Sequence, residues 1–341
     1  MAVTIKDVAK AANVAPSTVS RVIADSPRIS EETKRKVRKV MEELGYHPNM
    51  IARSLANQSS KAIGIIFPNS GNTAFQNPFF SEVLRGISEG VSEKHYILQF
   101  TTGRTEEEIL QDVKKMVFGR LVDGMILLYS KLGDSVMKFL KEQNFPFVLV
   151  GKPFEDSEVI THVDNDNISA AKEGTEYLIR LGHRKIGFIG GDIGFMVTRN
   201  RLEGYRRALA EAGIPVNEKY LIHEEFLLEG GKEAVKELML LDDPPTALLV
   251  IDDIMALGVL KTLSELGKKV PEDISVVSFN NVLFAELAQP PLTSVDINIF
   301  TLGIEAVKHL IQKIENPKEP VKRIIIPHRL IVRKSCQAVV R

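Results

Sequence analysis

The 341-residue sequence predicts two unlike parts: a small all-α headpiece, and an α/β core of two doubly wound, parallel-sheet subdomains. Three observations carry that expectation. Residues 1–61 hold eleven Lys and Arg against six Asp and Glu, a net of +5 in a chain of zero net charge, so residues 62–341 net −5. That same basic segment reads as three short helices. From residue 61 the texture changes to near-continuous apolar strands alternating with amphipathic helices, the pattern of a parallel sheet covered on both faces.

In the headpiece, Thr4 followed by Asp7 resembles a capping box, and Ile5, Val8, Ala9 and Ala12 repeat at helical spacing. Asn13 supplies the turn, being tolerant of unusual backbone angles. Pro16 stands at the start of a second helix, where proline suits a helix best, and this helix runs from Ser17 to about Ile23. Ser30 caps a third, with Val37, Val40, Met41 and Leu44 on one stripe, Lys34, Arg35, Lys36, Arg38 and Lys39 on its other faces, and Gly45 as its stop. The first two helices and their short turn form a helix-turn-helix. A helix that reads DNA needs small or polar residues at its start and a long donor for a base edge. Pro16, Ser17, Thr18, Ser20 and Arg21 meet that need, with Val19 and Val22 turned to the core and Arg21 a bidentate donor for guanine. A stretch such as STVSRV alone is more often a plain surface helix, and a charge run is usually a solvated face. The capped helix before it and the basic helix after it shift the balance toward DNA. The headpiece is assigned to residues 1–47. Residues 48–60 form a polar linker with one helical patch, NMIARSLANQ.

The core, residues 61–341, divides into two series. KAIGIIF, YILQF, DGMILLY and FPFVLVG alternate with helical segments in the first, and VITHVD, KIGFIGG, ALLVID and ISVVSF do so in the second. Two similar domains with a cleft between them bind ligands at the C-terminal ends of their strands.

Enzymatic chemistry has no positive signal. There is no phosphate loop and no nucleophile elbow, and Gly187, Gly190, Gly191 and Gly194 miss the dinucleotide spacing and fit a tight strand-to-helix turn better. Seven scattered histidines and the adjacent Asp252 and Asp253 do not make a metal shell. No catalytic residue, cofactor or metal is expected. Cys336 is the one cysteine, so no intrachain disulfide is possible. No secretory leader or membrane-length apolar run is present, which points to the cytoplasm, no membrane partner, and chance sequons at Asn57 and Asn167.

The stretch from TIKDVAKAANVAPSTVSRV to NMIARSLANQ, together with VDNDN, LGHRKIGFIGG, RLEGYRRAL, MALGVL, VPEDISVVSFNN and PPLTSV, resembles the LacI/GalR repressor family along essentially the whole chain. The resemblance implies a periplasmic-binding-protein-like core of two discontinuous lobes, about 61–161 with 292–322 and 162–291 with 323–341. It implies that Ser17, Thr18 and Arg21 face the major groove, that Thr4, Ser20, Ser30, Tyr46 and Asn49 hold phosphates, and that NMIARSLA is a hinge helix. Leu55 would wedge into the minor groove with Ala52 beside it. Family effector positions fall on Phe79, Arg201, Phe226, Asp252 and Asn280. The bland readings are a core Phe79, a structurally paired Arg201 and an Asn280 that caps a turn. The loop FPNSGNTAFQNPFF resembles that of maltose-operon repressors of Gram-positive bacteria, which implies maltose or a maltodextrin, with Phe75 and Asn77 extending the site to a second glucose unit. The helix start Ala15-Pro16-Ser17 departs from the bulkier polar residues of the lac repressor, leaving the operator bases open. With no heptad extension before Arg341, a dimer on a pseudo-palindrome is expected. Two alternatives remain: a global carbon regulator of the same family that binds a phosphorylated carrier protein, and a sugar solute-binding protein, which would carry a secretory leader.

Overall fold

The computed structural model describes residues 3–47, 59–68, 74–92 and 94–339. Contacts divide the chain into two units, Met1–Ser60 and Lys61–Arg341. Asn49, Ala52 and Leu55, with the whole of the expected hinge helix, lie outside the described residues.

The headpiece comprises α1 (Ile5–Ala11), α2 (Pro16–Ile23) and α3 (Glu31–Glu43). Val8, Ala9, Ala12, Val19, Val22 and Val37 are its buried core. The turn between α1 and α2 needs a left-handed residue and has one in Asn13, at φ 52°. Gly45 at φ 62° ends the chain's run past α3 in the same way. The start of α1 is closed by the Asp7 carboxylate, which accepts from the Thr4 backbone N–H (2.9 Å) and hydroxyl (2.7 Å).

Along the core the order is β1 (Ala62–Ile66), α4 (Pro78–Ser92), β2 (Ile97–Phe100), α5 (Glu106–Phe118), β3 (Gly124–Leu127), α6 (Ser135–Glu142), β4 (Phe147–Val150), β5 (His162–Asn165), α7 (Asn167–Arg180), β6 (Ile186–Gly190), α8 (Met196–Glu211), β7 (Leu221–His223), α9 (Leu228–Met239), β8 (Ala247–Val250), α10 (Asp253–Glu265), β9 (Ser275–Phe279), α11 (Leu283–Leu287), β10 (Thr293–Asp296), α12 (Ile299–Glu315), β11 (Arg323–Ile326) and β12 (Arg329–Ile331). One sheet is ordered β11-β5-β4-β3-β1-β2 and is wholly parallel. The other is ordered β12-β10-β9-β8-β6-β7 and is parallel except for its edge strand β12. The central strands β1, β3, β4, β6, β8 and β9 are buried along their whole length, as apolar runs without polar alternation require.

The lobe limits differ from those expected. Crossings near 162, 291 and 323 would send β5 to the second lobe, β10 to the first and β11 to the second. Instead β5 pairs with β4, β10 with β9 and β11 with β5. Each strand completes the sheet behind it before the chain crosses, so the crossings follow Asn165, Asp296 and Ile326. Four-residue strands carry no sign of their partner, and only ladder hydrogen bonds decide it.

Helices pack on the sheets in close pairs. A Cβ at Gly303 of α12 would sit 2.2 Å from the Val83 carbonyl of α4, and one at Gly204 of α8 would sit 2.2 Å from the Ile168 carbonyl of α7. At both positions only the absence of a side chain lets the two helices approach this closely.

Candidate functional site

On α2, Pro16, Ser17, Ser20 and Arg21 are exposed, Thr18 is half-buried, and Val19 and Val22 lie beneath them in the core. The pattern follows from 3.6-residue periodicity, with one face for packing and one for a partner. Several expected phosphate holders have work inside the headpiece. The Thr4 hydroxyl donates to Asp7, the Ser30 hydroxyl accepts from the Thr33 N–H at 3.3 Å, and Tyr46 packs half-buried on the core. Within the basic run, Lys34 is buried and paired with Asp25 (3.1 Å) and Glu31 (2.9 Å), and Arg38 is paired with Asp25 (2.7 Å). Lys34, expected on an outer face of the helix with the rest of the basic run, is instead buried. Its ammonium is held between two carboxylates while the side chain is almost fully buried, which sequence spacing does not reveal.

In the core, the C-terminal ends of both sheets border a cavity of about 560 Å³, within the usual range for small-molecule sites. Six of the seven expected effector residues line it: Asn77, Phe79, Arg201, Phe226, Asp252 and Asn280. Phe75 does not. It is 56% exposed and stands edge-on to Phe67 at 5.3 Å, so the ring is spent on a neighbouring phenylalanine rather than on the cavity wall.

Asp252 organises the cavity. It follows β8 and caps α10, its Oδ1 accepting from the Ile254 N–H at 2.7 Å. Its Oδ2 accepts from two amides, Asn77 at 3.0 Å and Asn280 at 2.8 Å. Asn77 comes from the other lobe, so this carboxylate bridges the cleft. Asn280 adopts φ 97°, a conformation that asparagine tolerates better than most residues and that turns its amide inward after β9. Burial raises the Asp252 pKa, and the bonds from Asn77 and Ile254 and the Arg201 charge oppose that rise.

Arg201, on α8, is 3% exposed. Its Nε donates to Asn167 Oδ1 at 2.9 Å, its Nη1 to the Ile251 carbonyl, and its guanidinium lies 4.2 Å from the centre of the Phe279 ring. Burial lowers its pKa to about 10, against the pull of Asp252, Asp164 and Asp253. Asp164, at the end of β5, is pushed up to about 7 by burial and accepts from Asn167 Nδ2 at 3.0 Å.

Two aromatic rings close the set. Phe226 packs flush on the backbone of Gly191, where a Cβ would lie 2.1 Å from the ring, and it meets Phe195 edge-on at 5.9 Å. The glycines after β6 thus serve close approach as well as the turn. Asp164, Asn167 and Phe195 were missed by sequence reasoning. The rule that ligands sit at strand C-terminal ends pointed to Asp164 and Asn167 through VDNDN, but nothing in the sequence marked Phe195.

Carboxylate, guanidinium and amide groups beside aromatic faces suit hydroxyl-rich ligands with apolar C–H surfaces. Among the described residues no His, Cys, Asp and Glu cluster stands ready for a metal ion, and no helix is long and apolar enough to cross a membrane. A helix-turn-helix headpiece and a two-lobed, cleft-bearing α/β core in one chain define the class of DNA-binding transcriptional regulators.

Residues 4–49 match the bacterial regulatory proteins of the lacI family, and residues 175–336 match the periplasmic binding protein-like domain. The chain is 42% identical over 338 residues to the HTH-type transcriptional regulator MalR of Streptococcus pneumoniae, covering 97% of this chain and 99% of that protein. Among solved structures it resembles the probable maltose operon transcriptional repressor malR of Staphylococcus aureus (31% identity, TM-score 0.74, 81% of this chain and 98% of that one). It also resembles the lac repressor dimer bound to operator and the anti-inducer ONPF (25% identity, TM-score 0.86, 99% and 100%). The chain belongs to the lacI family and is a transcriptional regulator of MalR-like type.

Proposed function

We propose that this regulator binds a pseudo-palindromic operator of sugar-utilisation genes as a homodimer and is controlled by maltose or a maltodextrin in the interlobe cleft. The observation that carries the effector reading is Asp252, whose one carboxylate oxygen holds amides from both lobes beside Arg201 and the Phe226 ring. A sugar hydroxyl can replace either amide at that oxygen, so ligand chemistry and lobe contact compete at one atom. The likeness to two maltose-type regulators narrows the sugar, and the likeness to a dimer on operator DNA supports the assembly.

On the DNA side, Ser17, Thr18 and Arg21 read bases, and Pro16 at the helix start lets the backbone approach the groove. Thr4, Ser20, Ser30, Tyr46 and Asn49 position the phosphates, and Ala52 and Leu55 act at the centre of the site. Sugar binding changes lobe orientation and thereby the free-energy gap between DNA-bound and free protein. Calorimetric titration with maltose, maltotriose, glucose and a purine tests the effector. Saturable maltose or maltotriose binding supports it, and tight purine binding with no response to either oligosaccharide overturns it.

A further inference from the structure

The three chain crossings between the lobes are tied to one another by side-chain amides. Asn165, the last residue of β5 and 3% exposed, uses its two amide hydrogens on two carbonyls, those of Ile297 and Ile326, each at 2.9 Å. Asn165 begins the first crossing, Ile297 begins the second, and Ile326 ends the strand that leads into the third. Asn298 closes the remaining side, its Nδ2 donating to the Pro327 carbonyl at 2.7 Å. Asp296 fixes Asn298 in turn, Oδ1 accepting from its backbone N–H at 2.9 Å with φ at 53°.

This ring of amides also reaches the cleft. Asn167 donates to Asp164 at 3.0 Å and contacts the Asn165 carbonyl at 3.4 Å, and its Oδ1 accepts from Arg201. Only Asn167 and a peptide bond separate Arg201 from the residue that joins the crossings. Asn165 borders the cavity, but both of its donor hydrogens are committed to the crossings, so any action on the ligand is indirect.

We propose that Asn165 is the pivot-setting residue of this regulator. By binding the other two crossings it makes three segments turn as one, and through Asn167 it passes a displacement of Arg201 into lobe rotation. It is a positioning residue, and the transmission half of the proposal rests on the effector reading given above. Without the Asn165 amide, two buried carbonyls lose their donors and the crossings bend separately. The lobes then sample a wider range of orientations, and occupancy of the cleft no longer selects one.

The test uses the full chain carrying Cys336→Ala, with spin labels at Glu107→Cys on α5 and Glu237→Cys on α9, both exposed positions. In Asn165→Ala without ligand, the inter-lobe distance distribution is expected to widen at least about twofold relative to the Asn165 parent. With maltose still binding saturably, the change in operator affinity should fall from about 5–150-fold, the usual allosteric range, toward onefold. An unchanged width with an intact operator response overturns the proposal. Maltose failing to bind the parent refutes the effector reading alone, and the ligand-free width still decides the pivot. Should Asn165→Ala not fold, Asn298→Ala, which opens one tie of the ring, must give a smaller widening, and no widening there also overturns the idea.

Discussion

Replacing Gly191 by Ala isolates the role of the Phe226 ring. The Gly191 φ lies outside the left-handed range, so alanine costs nothing in the backbone. Its Cβ, however, would stand 2.1 and 2.2 Å from two Phe226 ring carbons, far inside contact distance, so the ring must leave its seat. Two things go with it: the edge-on contact to Phe195 at 5.9 Å, and the ring face proposed to receive the sugar. The Phe195 contact is made with or without sugar and affects stability alone, so only the ring–sugar contact, worth about 0.5–1.5 kcal/mol, enters the affinity. At 1.4 kcal/mol per tenfold, maltose affinity should fall about 2- to 12-fold. Operator affinity without sugar should not change, since Gly191 lies in the core and not in the headpiece. Calorimetry on parent, Gly191→Ala, Phe226→Ala and the double variant reads this directly. The two single losses should overlap in the double variant because both act through one ring. Wild-type maltose affinity in Gly191→Ala refutes the reasoning.

Three further outcomes follow from the geometry. Arg21→Ala should reduce discrimination at one operator base pair by about 1–3 kcal/mol, read by selection of bound sites, and an unchanged preference would mean that α2 is not the reading helix. Asp164 has a folded pKa of about 7 against 3.8 in the unfolded chain, so the folded state keeps a proton that the unfolded state loses over that interval. Stability from this group therefore falls as pH rises from about 4 to 7 and is level above, and Asp164→Asn should gain stability relative to the parent between pH 5 and pH 8, whereas parallel unfolding curves would contradict the assignment. Gly204→Ala puts a Cβ 2.2 Å from the Ile168 carbonyl and should destabilise the core by about 1–3 kcal/mol in chemical denaturation, with no effect on headpiece contacts.

The element series was legible because burial on both sheet faces writes itself as unbroken apolar runs, and because Asn13, Pro16 and Gly45 stand where backbone angles demand them. Sheet membership was not legible. The β5, β10 and β11 strands join the sheet behind each crossing, a choice made by partners far away in sequence. At the site, residues with strong chemistry such as Arg201 and Asp252 could be picked out through the family, while Phe75 and Lys34 could not be placed. A side chain's direction from a loop, or its burial between two helices, depends on packing rather than on residue type. Phe195 and Asn165 are ordinary residues whose roles arise from where the chain brings them.

The central claim, that a sugar in the cleft governs operator binding, is tested most directly by selecting bound DNA from random oligomers with the full-length protein, with and without maltose. A two-fold pseudo-palindrome is expected, with an enrichment that changes about 5- to 150-fold with maltose and not with a purine. Recovery of the same site with equal enrichment in both conditions, or of a site without two-fold symmetry, would contradict it.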